Sequence, residues 1–253
     1  MRNLPVVSGG SPSKVAGVSG QSLRHESAHK HVSGEAIYID DMAVPANTLH
    51  AYVGLSEIAK GKIVSLNLDK VRSAPGVVDI LTLDDVPGHT DIGPAFPGDP
   101  LMVHDRVEFF GQVMFAVAAT SYDAARKAAR LAVVEYETEV GDLTIEQGLA
   151  NNSFVRPSHT QQRGDVNAAL SDAPLTLEGG IQIGGQEQLY LEGQASLCIP
   201  QEDGGMLVYT SSQNPSEGQK LVAEVLNIPL NRVTVDMRRM GGGFGGKETN
   251  ANQ

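Results

Sequence analysis

A chain of 253 residues holds one large domain or two ordinary ones, and 41% hydrophobic with 19% charged residues is a globular balance that excludes wholesale disorder. The formal net charge of -11 argues against nucleic acid and anionic membranes as partners. One cysteine, Cys198, excludes an internal disulfide framework and any multi-cysteine cluster within the chain.

In chain order, residues 1–20 are rich in Ser, Gly and Pro and read as a flexible leader. Residues 1–7 turn polar too soon for a signal sequence, and no apolar run reaches spanning length. A soluble, cytoplasmic protein is the expectation. Leu49, Ala51, Val53 and Leu55 alternate with other residues, the pattern of a half-buried strand, and Val64, Leu66 and Leu68 repeat it. Val77-Val78-Asp79-Ile80-Leu81 predicts a buried strand, and Val113, Phe115 and Val117 predict another just before a helix. Thr120-Ser121-Tyr122-Asp123 fits a capping box opening that helix, which continues through the Ala-rich residues 123–131. Residues 132–136 read as the next strand. The mixture predicts an α+β domain over 21–138 with a largely antiparallel or mixed sheet.

Residues 139–174 are polar and turn-rich and predict a linker. A second domain opens near Leu175, with strand-like stretches at 175–178 and 188–192. Ala195-Ser196-Leu197-Cys198-Ile199 is apolar, which predicts a buried structural thiol. Met206-Leu207-Val208-Tyr209-Thr210 predicts a strand, and Ser211-Ser212-Gln213 follows it. Asn214 suits a helix N-cap, Pro215 the first helical position and Glu217 the capping-box carboxylate. Leu221, Val222, Val225 and Leu226 mark one apolar face of the helix, which Asn227 and Pro229 end. A strand over 233–237 leads into Gly241-Gly242-Gly243-Phe244-Gly245-Gly246-Lys247-Glu248. If the two strands are parallel, Gln213 and this loop project from the same carboxyl-terminal edge, where open α/β sheets bind ligands.

Five of the six residues 241–246 are glycine, a density that lets backbone approach a ligand closely and form a concave anion site. Gly241, Gly243 and Gly246 match a dinucleotide template, but so glycine-rich a run matches almost any such template. Gly241 to Lys247 match a phosphate loop, yet Glu248 stands where that loop needs Ser or Thr, and its carboxylate would repel phosphate.

A resemblance discriminates further. Gly-Gly-Gly-Phe-Gly-Gly-Lys-Glu at 241–248, with Gln213-Asn214-Pro215 placed 31 residues before Phe244, resembles the molybdenum hydroxylases, specifically the xanthine dehydrogenase/oxidase group. So do residues 222–233 and Gly185-Gln186-Glu187-Gln188-Leu189-Tyr190-Leu191-Glu192. Upstream, Ser33-Gly34-Glu35-Ala36, Tyr38-Ile39-Asp40-Asp41, Phe110-Gly111-Gln112 and residues 134–137 resemble the family's hammerhead domain. The resemblance covers nearly the whole chain beyond the leader.

It implies a hammerhead-like α/β domain with a mixed sheet, then the first part of a mixed α/β molybdenum-cofactor-binding domain over 175–253. Gln213 matches the glutamine whose amide hydrogen-bonds the apical oxo group of the metal, a task that suits a neutral donor. Phe244 and Gly245, with Gly243 beside them, match backbone lying against the cofactor. Glu248 matches the carboxylate that hydrogen-bonds a purine substrate, where aldehyde-oxidising relatives typically carry an apolar residue. No protein atom is expected to ligate the metal, and no catalytic residue falls within the chain, because the family's base and a purine-orienting arginine lie beyond position 253. The implied reaction hydroxylates hypoxanthine and xanthine to urate, with electrons passing through [2Fe-2S] clusters and FAD to NAD. With one cysteine here, those clusters and FAD are expected on a partner subunit. The chain is then the N-terminal portion of the molybdenum subunit, inactive alone and oligomeric when complete. Oxidation of another N-heterocycle or an aldehyde, and a non-catalytic docking module, are the alternative readings.

Overall fold

The computed structural model describes residues 20–94 and 96–248, so the leader expected at 1–20 lies outside them except for Gly20. The chain divides into two units, residues 1–37 and 38–253. Among the described residues of the first, a short helix, α1 (Ala28–Ser33), ends at Gly34 in the left-handed conformation.

The second unit begins with β1 (His50–Leu55), β2 (Gly61–Asn67), the one-turn helix α2 (Asp69–Arg72) and β3 (Val77–Leu81). It continues through β4 (Arg106–Val107), β5 (Val113–Ala119), α3 (Tyr122–Ala129) and β6 (Val133–Thr138). Two three-stranded sheets result, in the orders β1-β5-β3 and β4-β2-β6. Every pairing in them is antiparallel, one of the two arrangements the sequence left open. Val71, Ile80, Val107, Phe115, Val117 and the helix residues Ala125 and Ala128 form one core. Alanine on the inner face of α3 keeps the helix close to the sheet, and burying Phe115 contributes about 1.5–3 kcal/mol.

Two local expectations change. The cap of α3 is Ser121, whose Oγ accepts from Ala124 N at 3.2 Å, not Thr120. Asp123 is therefore one position too early for a capping box, and it pairs with Arg126 and Lys127 instead. In β1 the inward residues are Tyr52 and Gly54, whereas Ala51, Val53 and Leu55 face out. The ring of Phe115 fills the space that a side chain at residue 54 would need, so packing across the strand pair sets the face.

Residues 139–195 carry two short helices, α4 (Ile145–Ala150) and α5 (Val166–Ser171), capped by Thr144 and Asp165. Neither strand expected at 175–178 or 188–192 forms. Neither stretch lies beside another strand, and most of their residues are exposed. Alternation alone does not make a strand without a neighbour to accept its N–H groups.

The last layer is a mixed sheet of β7 (Ser196–Pro200), β8 (Met206–Thr210) and β9 (Val233–Asp236), in that order. β7 runs antiparallel to β8, and β8 parallel to β9. Cys198 is exposed, because β7 turns Leu197 inward and alternation sends the thiol out, against the expectation of burial. The crossover helix α6 (Pro215–Val225) has the expected cap, with Asn214 Oδ1 accepting from Glu217 N at 3.1 Å and Pro215 in the first turn. It ends in a Schellman motif: Asn227 adopts φ 52°, and Ile228 N donates to Ala223 O at 3.0 Å. Val208, Ala223 and Val233 form the small core between helix and sheet. Among the described residues no helix is long and apolar enough to cross a membrane.

Candidate functional site

Parallel pairing of β8 and β9 sends both chains out of the sheet at one edge, and there they are stitched together. Gln213 N donates to Lys247 O at 2.7 Å, and Ser212 Oγ reaches the same carbonyl at 3.4 Å. The side chain of Gln213 turns back so that its Oε1 accepts from Gly245 N at 2.9 Å and Lys247 N at 3.2 Å. Two N–H donors fix the amide's orientation, because only the oxygen can accept both. With Oε1 committed to the loop, the Nε2 hydrogens are what the amide can still donate. The residues proposed from sequence as cofactor-binding, Gln213, Gly243, Phe244 and Gly245, are thus brought together.

Glycine at two positions follows from this closeness. A Cβ on Gly243 would stand 2.5 Å from Gln213 Oε1. One on Gly241 would strike Glu192 Cβ and come within 2.9 Å of Glu192 N, in a backbone whose φ of 59° already disfavours side chains. By contrast a Cβ on Gly245 would meet nothing within 4 Å, so the loop opens outward beside Gln213. Phe244 carries φ 54° and is 76% exposed. A large apolar ring held left-handed and pushed into solvent is the kind of backbone strain that collects at ligand sites. Glu248, proposed to meet substrate, is also exposed and follows directly on the loop.

Sequence reasoning missed the layer beneath. Leu191 N donates to Gly241 O at 3.0 Å, and Gln194 Nε2 to Gly246 O at 2.9 Å. Ser211 is buried and joins this segment to the end of β8, donating through Oγ to Gly193 O at 3.0 Å and accepting from Ala195 N at 3.2 Å. Lys247 is fully buried: its ammonium donates to Met240 O, lies 4.8 Å from the centre of the Tyr190 ring and 3.9 Å from Glu192 Oε2. Burial pushes the pKa of Lys247 down, and the Glu192 carboxylate opposes that shift. The one sequence signal for this layer is the stretch at 185–192 quoted for its resemblance; its alternation suggests a strand and hides the inward turn of Glu192. Among the described residues no group of three or more His, Cys, Asp or Glu side chains is placed to hold a metal.

Two family models match the chain, an "aldehyde oxidase and xanthine dehydrogenase, a/b hammerhead domain" over residues 33–140 and a "molybdopterin cofactor-binding domain" over residues 146–253. Aldehyde oxidase 3 of Rattus norvegicus is 40% identical over 231 residues, 90% of this chain and 17% of the relative. Xanthine dehydrogenase/oxidase of Gallus gallus is 38% identical over 231 residues, 91% of this chain and again 17% of the relative. The chain thus spans about 17% of the length of the curated relatives it matches. Among solved structures, the aldehyde oxidoreductase of Desulfovibrio gigas superposes with a TM-score of 0.75 at 23% identity, covering 88% of this chain and 27% of that one. Quinoline 2-oxidoreductase of Pseudomonas putida gives 0.75 at 23% identity, covering 92% and 32%.

Proposed function

The chain belongs to the aldehyde oxidase and xanthine dehydrogenase family of molybdenum hydroxylases, and from that premise we propose that its last eighty or so residues form one wall of a molybdenum–molybdopterin site. The observation that carries the proposal is the convergence of Gln213 and the glycine loop on one sheet edge through hydrogen bonds of 2.7, 2.9 and 3.2 Å. The residues fit such a group: Gln213 keeps a neutral N–H donor that its two loop contacts do not use, the loop is open beside Gly245, and Phe244 offers an exposed apolar face. When bound, the cofactor supplies the redox-active metal at which a substrate carbon is hydroxylated. This chain's own part is to hold and orient it: Gln213 donates a hydrogen bond that does not titrate, Gly243 and Gly245 bring backbone close, and Phe244 excludes water.

For substrate we assign a purine, hypoxanthine or xanthine, with Glu248 hydrogen-bonding its ring nitrogens and carbonyls; the carboxylate at that position supports this reading over an aldehyde. Comparable identity to aldehyde oxidases keeps aldehydes and other N-heterocycles as the second reading. The same proposal places the remainder of the molybdenum subunit, and a subunit carrying [2Fe-2S] and FAD with NAD as acceptor, as cytoplasmic partners in an oligomer. It also keeps the domain limits at 138 and 175 with a linker between. Expressing the chain as part of the complete assembly tests the scheme. Molybdenum, pterin and turnover of xanthine or hypoxanthine are expected. A metal-free, pterin-free assembly rejects the cofactor assignment, and turnover of aldehydes alone rejects the purine.

A further inference from the structure

Beneath the glycine loop lies a charge pair that neither the cofactor nor the substrate assignment uses. Glu192 is 8% exposed, in a chain whose other carboxylates mostly face solvent. Its Oε1 accepts from Ile39 N at 3.0 Å. Its Oε2 is buried without a hydrogen-bond partner, and Lys247 Nζ lies 3.9 Å from it. The lysine in turn holds Met240 O, at the entrance to the loop, from the far end of the same loop. Gly241 then has to pass against Glu192 Cβ, and Gly246 against Tyr190, where a Cβ would come within 2.8 Å of Cε1. Three stretches far apart in sequence, around residues 39, 190–192 and 240–247, therefore meet at one sealed carboxylate and one sealed ammonium.

Neither ion has water to fall back on. A carboxylate left alone in that position would carry an uncompensated buried charge, and so would the ammonium, so each depends on the other more than a surface pair does. We infer that Lys247 and Glu192 are a positioning pair that holds the loop over 240–247 in its binding shape through charge, from the inside, before any ligand reaches its outer face. Neither side chain would touch the reacting atoms. Lys247 acts by drawing the two ends of the loop together, and Glu192 by anchoring that ammonium to the segment at residue 39. Its bearing on cofactor capture rests on the proposed function, whereas the pair itself does not.

Hydrogen exchange by mass spectrometry on the whole 253-residue chain without cofactor tests this. Lys247→Met or Glu192→Gln alone should speed exchange of the amides at 241–246 by about tenfold or more, since each strands one buried charge. Combining Lys247→Met with Glu192→Gln removes the stranded charge together with the tie, so exchange should be slower than in either single variant yet faster than in the parent. A purely packing role would instead make the two effects multiply. Single variants that exchange like the parent, or a double variant as fast as the product of the two singles, overturn the inference. Should a single variant fail to fold, the double variant decides: a folded double variant supports the pair, because only the stranded charge unfolded the single one, and a double variant as unfolded as the single overturns it. Because the assay is done without cofactor, a failed cofactor assignment, read from metal content, leaves its result standing.

Discussion

Replacing Gln213 in two ways separates its two ends. Gln213→Ala removes the oxygen that accepts from Gly245 N at 2.9 Å and Lys247 N at 3.2 Å. Two neutral hydrogen bonds at about 1 kcal/mol each put the loss near 2 kcal/mol, which is about thirtyfold in a local opening equilibrium. Gln213→Glu keeps an acceptor in the same place, and a carboxylate accepts from backbone N–H at least as strongly as an amide does. Loop protection in that variant should stay within about threefold of the parent, yet the amide's N–H donor is gone. Native-state hydrogen exchange at 241–247 reads the first effect, and cofactor retention by the complete assembly reads the second. The expected pattern is a fast loop in Gln213→Ala, a slow loop in Gln213→Glu, and poor retention in both. Equal loop exchange in the two variants would refute the anchoring role of the oxygen, and full retention by Gln213→Glu would refute the donor role of the nitrogen.

Gly241→Ala places a Cβ against Glu192 in a left-handed backbone at φ 59°; the conformational cost alone is about 1–2 kcal/mol, and a melting temperature lower by about 2–8 °C is expected in a thermal scan. The carboxylate of Asp91 accepts from Gly93 N at 2.9 Å and Gly98 N at 2.8 Å, and these bonds hold its pKa below the usual aspartate value. A depressed carboxylate contributes stability that is complete above the unfolded pKa and lost as pH falls through the folded one, so the amide shifts of Gly93 and Gly98 should move with a midpoint below ordinary aspartates, and Asp91→Asn should abolish that titration.

The crossover unit was the most legible part of the sequence because its signals are local and agree with one another. Asn214, Pro215 and Glu217 specify a helix start by their own hydrogen bonds and geometry, and Asn227 tolerates the left-handed turn that ends it. Two strands joined by one helix then put Gln213 and the loop on the same edge as a matter of topology. Features decided by distant partners were not legible. The face that β1 buries depends on the Phe115 ring from β5, and the cap of α3 shifted by one residue between two adjacent hydroxyls, Thr120 and Ser121. Cys198 looked buried from its neighbours' composition, but an edge strand with Leu197 inward leaves it out. The stretches at 175–178 and 188–192 have strand alternation without a strand beside them. Lys247 enters the sequence reading only as the last residue of a phosphate-loop pattern; the fold of residues 190–192 is what closes over it.

That closure gives the loop a built-in clock. Trypsin must seat a lysine side chain in its own specificity pocket, and the one at position 247 is wholly inaccessible while the loop stays shut. Digestion after residue 247 therefore proceeds only during excursions to an open form, and its rate tracks the population of that form when reclosing is fast.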